Sequence, residues 1–316
     1  MASPAFTRRL LVATAALARP ALAQGATAPQ GTIAIVCGFA PGGLADTLCR
    51  ALAEAIRPRS TTNVVVENRL GASGSVALER VARAAPDGTV VGLYTPSAAW
   101  MVPLVQGAGY DPMTSFVALG QLTLQPMPMY VRANSRFRSW AEVLEFARAN
   151  PGAFSWGTSG ARGMAEILTE AAFRQENVQT TSVPFRGGSE AIAAMMGGHV
   201  EAVVSTDFGP LLRTGEVRLL VETGPTPATG QDIPTFRALG YPLSEPNVYG
   251  MVGPAGLPAP IVAWWDAAIA AACADLAFRA IADRNFAIVA HEGAAANQAG
   301  FRRGYEAFRR ALAPTR

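Results

Sequence analysis

Four segments of the chain share one plan: an apolar run ends in a turn of small residues, and a helical stretch opens at once. In "IVCGFAPGGLAD" the run Ile33–Phe39 meets Pro41-Gly42-Gly43, and apolar residues then recur at helical spacing from Ala45 to Ile56. "YTPSAAW" (94–100), "FSWGTSGARG" (154–163) and "VPFRGGSEA" (183–191) repeat it, although no repeat of fixed period accompanies them. Strands feeding helices in this way predict an α/β fold with parallel strands covered by helices on both faces.

The alternation extends on either side. Strands are expected over 63–67, 90–94, 154–157, 181–184, 202–205 and 218–222, and helices over 75–84, 140–149, 163–175, 189–197, 261–274 and 298–313. Two Pro-bounded extended stretches, "QPMPMYVRANS" and "NVYGMVGPAG", divide the pattern into two α/β sets. The chain is therefore expected to leave one domain, build a second and return. Residues 24–125 plus 245–316 form domain 1 and residues 126–244 form domain 2. A ligand cleft is expected between them, at the C-terminal ends of the strands.

Residues 1–23 read as an export signal: Arg8-Arg9, an apolar core from Leu10 to Leu17, and Ala21-Leu22-Ala23 before a new first residue, Gln24. General secretion and twin-arginine export both fit, and either places the mature chain in the periplasm. The 26 basic residues, all Arg, exceed the 23 acids by three, and Arg8, Arg9 and Arg19 account for that excess. A balanced, Lys-free mature chain lacks the clustered positive charge that nucleic acid requires. Cys37, Cys49 and Cys273 read as buried small hydrophobes. No metal-ligand spacing and no cofactor motif is present, and His199 and His291 have no nucleophile partner in sequence.

The glycine turns carry the chemistry. The first turn of a helix has amide N–H groups without helical partners, and the helix dipole favours an anion there. Pro41-Gly42-Gly43 is no phosphate loop, since GxxxxGK[ST] is absent, so a small carboxylate is the expected guest. Two roles fit Asp46: a first-turn helix charge, or an acceptor for a ligand hydroxyl or ammonium. Thr158 and Ser159 offer hydroxyls from the second set, as Thr95 and Ser97 do from the first, with helix capping as the alternative. Arg186 is suited to a bidentate carboxylate pair or to plain solvation.

Together "IVCGFAPGGLAD", "VVVENRLGASGSVALERVARAAPDGTVVGLYT", "FSWGTSGARG", "VPFRGGSEAIAAMMGGHVEAVV" and "YGMVGPAGLPAPIV" resemble the substrate-binding proteins of tripartite tricarboxylate transporters, the Bug family. The resemblance runs from about Gly31 to the C-terminus. It implies a type II periplasmic-binding-protein fold with two crossover connections. It also implies a monomeric receptor that takes no cofactor, binds a small carboxylate and hands it to a membrane permease. By position it puts Phe39, Gly43, Leu44, Ala45 and Asp46 on one wall, Thr95 and Ser97 beside them, and Thr158, Ser159, Gly160, Phe185 and Arg186 opposite. Amides of Gly43, Leu44 and Ala45 are expected to take most of the carboxylate. Several positions depart from the family pattern: Cys37, Gly38 and Ala40, Gly163 for Ser, Glu166 for His, and Phe185-Arg186 for Tyr-Lys. Ser205 or Asp207 fills the place of the family's cleft Asp. Two other functions compete with uptake: signalling to a membrane sensor, and hydrolysis by an α/β enzyme.

Overall fold

The computed structural model describes residues 27–60, 63–241 and 243–312; the stretch read as an export signal lies outside the described residues. In chain order the strands are β1 (Ile33–Cys37), β2 (Val64–Asn68), β3 (Val90–Tyr94), β4 (Phe116–Gln125), β5 (Pro128–Arg132), β6 (Ser155–Thr158), β7 (Thr181–Pro184), β8 (Ala202–Val204), β9 (Val217–Glu222), β10 (Asn247–Pro254) and β11 (Ile288–Gly293). The helices are α1 (Leu44–Ile56), α2 (Ser75–Ala82), α3 (Val102–Val105), α4 (Trp140–Ala149), α5 (Met164–Gln175), α6 (Gly188–Met196), α7 (Gly209–Arg213), α8 (Ala259–Ala274), α9 (Leu276–Arg284) and α10 (Ala294–Ala311).

The strands form two sheets, ordered β11-β4-β10-β3-β1-β2 and β7-β6-β8-β5-β9. Each sheet has a parallel half: β1 pairs with β2 and β3, and β6 pairs with β7 and β8. The expectation of parallel pairing holds only for these halves. Strand β10 returns antiparallel to β3 and β4, and β5 lies antiparallel to β8 and β9. The reason is the double crossing. The chain passes from β4 directly into β5 through Gln125, Pro126 and Met127, and comes back from β9 into β10.

Strand β1 shows why the apolar runs are unbroken. Val36 faces one hydrophobic cluster, while Ile33, Ile35 and Cys37 face another, so both pleat faces are buried. The ten-residue strand β4 is missing from the expected list. Its Gln121, Thr123 and Gln125 break the apolar run, yet all three are buried. Gln121 Nε2 donates to the Ala290 carbonyl and Gln125 Nε2 to Thr123 Oγ1 inside the sheet, while Gln125 Oε1 is buried without a partner. The cysteines are buried free thiols.

In the second sheet's domain, Phe173 packs on Trp140, Phe154 and Trp156 with ring centroids 5.0, 6.2 and 5.9 Å away. Phe173→Ala is expected to lower unfolding stability by about 3–5 kcal/mol, the usual cost of emptying an aromatic core site. Chemical denaturation is the check. A loss within error of zero would mean this cluster does not hold the domain together.

Candidate functional site

Helices α1, α5 and α6 all begin at the seam between the two sheets. Their N-cap residues are Gly43, Gly163 and Gly187, none with a side-chain cap. Each helix carries an acid in its first turn, and that acid reaches back to the residue before the cap. Asp46 Oδ2 accepts from Gly42 N at 3.0 Å, Glu166 Oε2 from Arg162 N, and Glu190 Oε2 from Arg186 N at 3.1 Å. Helix α4, away from the seam, has the same back-reaching acid, Glu142 to Arg138 N. It also has Ser139, whose Oγ accepts from Glu142 N. The three seam helices lack that second cap, so their leading amides point outward for a partner elsewhere.

Those partners come from across the seam. Leu44 N donates to Asp207 Oδ1 at 2.6 Å, and Met164 N donates to Ser97 Oγ at 2.9 Å. Ser73 Oγ donates to the Ala161 carbonyl at 2.6 Å. The loop after β8 therefore caps α1, and the loop after β3 caps α5. Gly188, first residue of α6, lies so close to Asp207 that an added Cβ would collide with its carboxylate. The Asp207 carboxylate thus sits between the N-termini of two helices, α1 and α6.

The amides of Gly42, Gly43 and Leu44 and the acid of the first turn all have partners in this structure. The Leu44 amide belongs to Asp207, and Gly43 N is spent on the Ala40 carbonyl at 3.3 Å. Ala45 is buried at 4% exposure. Asp46 takes the structural role. Its oxygens accept from Gly42 N, from Arg50 Nε and Nη2 at 2.9 Å each, and from Asn68 Nδ2 at 2.8 Å. Burial alone would raise its pKa, but the bonds from Arg50, Gly42 and Asn68 outweigh burial and hold the carboxyl below its ordinary value. Asp207 shows the reverse balance. Burial pushes its pKa up, and the bonds from Leu44 and Ser205 recover only part of that.

The seam encloses a small inner cavity of about 20 Å³, room for about one water. Phe39, Ser73, Thr95 and Ser97 line it from the first sheet's side, and Ser159, Gly160 and Thr206 from the second's. No charged side chain lines it. Thr158 is fully buried and spends its hydroxyl on the Gly160 carbonyl at 2.8 Å, shaping the loop that presents Ser159. A larger groove of about 320 Å³ opens beside the cavity. It is lined by Gly38, Ser73, Ser159, Phe185, Arg186 and Glu190. Ser73 and Gly160 stand at the wall between the two; a Cβ on Gly160 would collide with Ser73 Oγ.

Ser73, Asn247 and Tyr249 are among the lining residues that escaped the sequence reading. Ser73 lies in Gly71-Ala72-Ser73-Gly74, four successive residues with positive φ (131°, 44°, 50° and 93°). Left-handed backbone at Ala72 and Ser73 is strained, and such strain gathers at functional sites; the glycines flanking them were the available signal. Asn247 and Tyr249 reach the cavity from the returning strand, and Tyr249 OH lies 3.1 Å from Thr206 Oγ1. The extended stretch "NVYGMVGPAG" marked that strand without marking its inward face.

The receptor model of the tripartite tricarboxylate transporter family matches residues 48–300. The chain belongs to this family of solute-binding receptors. A "UPF0065 protein in gbd 5'region" of Cupriavidus necator is 31% identical over 80% of this chain and 79% of its own length. The periplasmic binding protein BugD is 27% identical, with a TM-score of 0.81 over 90% of this chain and 98% of that one. MatC of Rhodopseudomonas palustris with bound malate is 25% identical, with a TM-score of 0.81 over 90% and 99%. These Bug structures share the mixed two-sheet α/β architecture described above.

Gly188→Ala tests the seam of this receptor. The new methyl would collide with the Asp207 side chain, so Asp207 should be driven off the Leu44 amide that it caps, at an overpacking cost of about 1–3 kcal/mol in folding stability. Small-angle scattering is expected to show a larger radius of gyration for the variant. An unchanged radius would mean that the Leu44–Asp207 bond does not hold the two domains together.

Proposed function

We propose that this receptor is an exported, periplasmic protein that binds a small carboxylate between two domains and delivers it to the permease of a tripartite tricarboxylate transporter. The domains are residues 24–125 with 245–316, and residues 126–244, after removal of residues 1–23. The observation that carries this reading is the inner cavity: hydroxyls of Ser73, Thr95, Ser97 and Ser159 surround the N-terminus of α5, with no charged side chain among its lining residues. Such a site attracts an anion through dipoles and hydrogen bonds, and releases it without breaking an ion pair. The related MatC carries malate.

A cavity the size of one water admits a carboxylic acid only when the seam parts. The two connectors, one at Pro126 and one entering β10 just before Asn247, are the proposed hinges; Val248 itself is paired within β10. Ser159 and Gly160 contribute from the second domain; Phe185 and Arg186 line the outer groove at the mouth. Binding proceeds without turnover: His199 and His291 are both exposed and neither lines the cleft.

Mass spectrometry of small molecules retained by natively purified protein identifies the acid. Calorimetry then compares that acid with its methyl ester. Hydrogen bonds to a charged group are worth roughly 1.5–3 kcal/mol each, so the ester should bind at least about tenfold more weakly. Equal affinity for acid and ester would overturn the carboxylate assignment.

A further inference from the structure

Two of the three cysteines meet beneath the first glycine turn. Cys37 closes β1, and Cys49 lies in the second turn of α1. The pleat turns Ile33, Ile35 and Cys37 to one face of the sheet, and α1 lays Ala45, Leu48, Cys49 and Leu52 in the same buried cluster. Both thiols are fully buried and free in the structure, and the side chain of Cys49 is hydrogen-bonded to that of Cys37. Both sulfurs also lie within electrostatic range of Arg50 and Tyr249. Cys273 packs against β4 instead, with Sγ 3.9 Å from the Leu122 carbonyl.

We propose that Cys37 and Cys49 are a disulfide site, joined in the exported protein as a staple across the glycine turn. This rests on the export reading above. The two thiols lose two protons and two electrons as their S–S bond forms, and the disulfide of a thiol–disulfide oxidant in the receiving compartment is reduced to two thiols. The exchange belongs to the unfolded chain. Cys37 and Cys49 are the first two cysteines to emerge, twelve positions apart, and Cys273 follows far behind. After folding the exchange is closed. Neither sulfur is exposed, and the hydrogen bond with Cys37 together with burial pushes the Cys49 thiol well above its ordinary pKa, so little thiolate forms. The enclosed loop, 38–48, contains Pro41-Gly42-Gly43 and the Leu44 amide that reaches Asp207. A link between its two ends removes unfolded conformations and ties α1 to β1 below the seam.

The test is thiol counting on the full chain, produced with residues 1–23 and recovered from the periplasmic fraction of a bacterial host. The protein is denatured without reductant, alkylated, measured by intact mass and mapped for linked peptides. The expected result is one alkylated thiol, Cys273, rising to three after reduction, with a peptide joining Cys37 to Cys49. Cys273→Ser should keep that link, and should melt on the order of 5 °C higher than the same protein held in dithiothreitol. Three alkylated thiols in unreduced periplasmic protein, or a link through Cys273, overturn the disulfide. A melting midpoint unmoved by dithiothreitol overturns the staple. A chain found only in the cytoplasm overturns the export reading instead. That protein is then denatured, reduced and refolded in a mixture of oxidised and reduced glutathione, where one free thiol supports the Cys37–Cys49 pair and three overturn it.

Discussion

The structure turns on the unpartnered amides at the start of three helices. A helix leaves its first N–H groups without internal partners, and most proteins satisfy them with a Ser, Thr, Asp or Asn at the cap. Here α4 does so with Ser139, while α1, α5 and α6 begin at glycine. Each of the three still satisfies the amide before its cap with a first-turn acid. What remains must be satisfied from outside the helix. For α1 and α5 that outside is the opposite domain, through Asp207 and Ser97, so the capping of these two helices depends on how the domains meet.

A hydrogen bond from an amide to a carboxylate contributes about 1.5–3 kcal/mol in favourable settings. Yet the raised pKa of Asp207 says that its bonds to Leu44 and Ser205 do not recover the full cost of burying the charge. A ligand that adds a few hydrogen bonds at the α5 end can shift the equilibrium by its differential affinity for the closed form. The Asp46 cluster plays a different part. With Arg50 and Asn68 it fixes the α1 turn as a rigid unit, so that Leu44 arrives at the seam with its amide correctly aimed.

Much of this architecture was legible in residue pattern. Strand–turn–helix order placed β1, β3, β6, β7 and the helices that follow the glycine turns, because their apolar runs are bounded by sharp turn residues. Strand β4 was not read, because its period-two alternation carries Gln121, Thr123 and Gln125 on a side that is nonetheless buried. The antiparallel return of β10 was also hidden, since pairing direction depends on where a distant segment re-enters the sheet. At the site, the glycine turns, Ser97 and Ser159 stood out by type and position, while Asp207 entered only through the family resemblance, with Ser205 as its alternative. Their partners did not: the bond from Leu44 to Asp207 spans 163 positions in sequence, and no local pattern reports it. For the same reason Asp46 presented two roles in sequence, and only the positions of Arg50 and Asn68 assign one.

Capping across the seam has a direct signature in amide hydrogen exchange. Leu44 and Met164 are first helical residues whose amides have no partner within their own domain. With trans-domain caps in place, both amides should be protected in the wild type, and Leu44 should lose its protection in Asp207→Ala while Met164 keeps its own through Ser97. Exchange at Leu44 and Met164 as fast as that of uncapped first-turn amides would contradict the account, since the two domains would then not complete one another's helices.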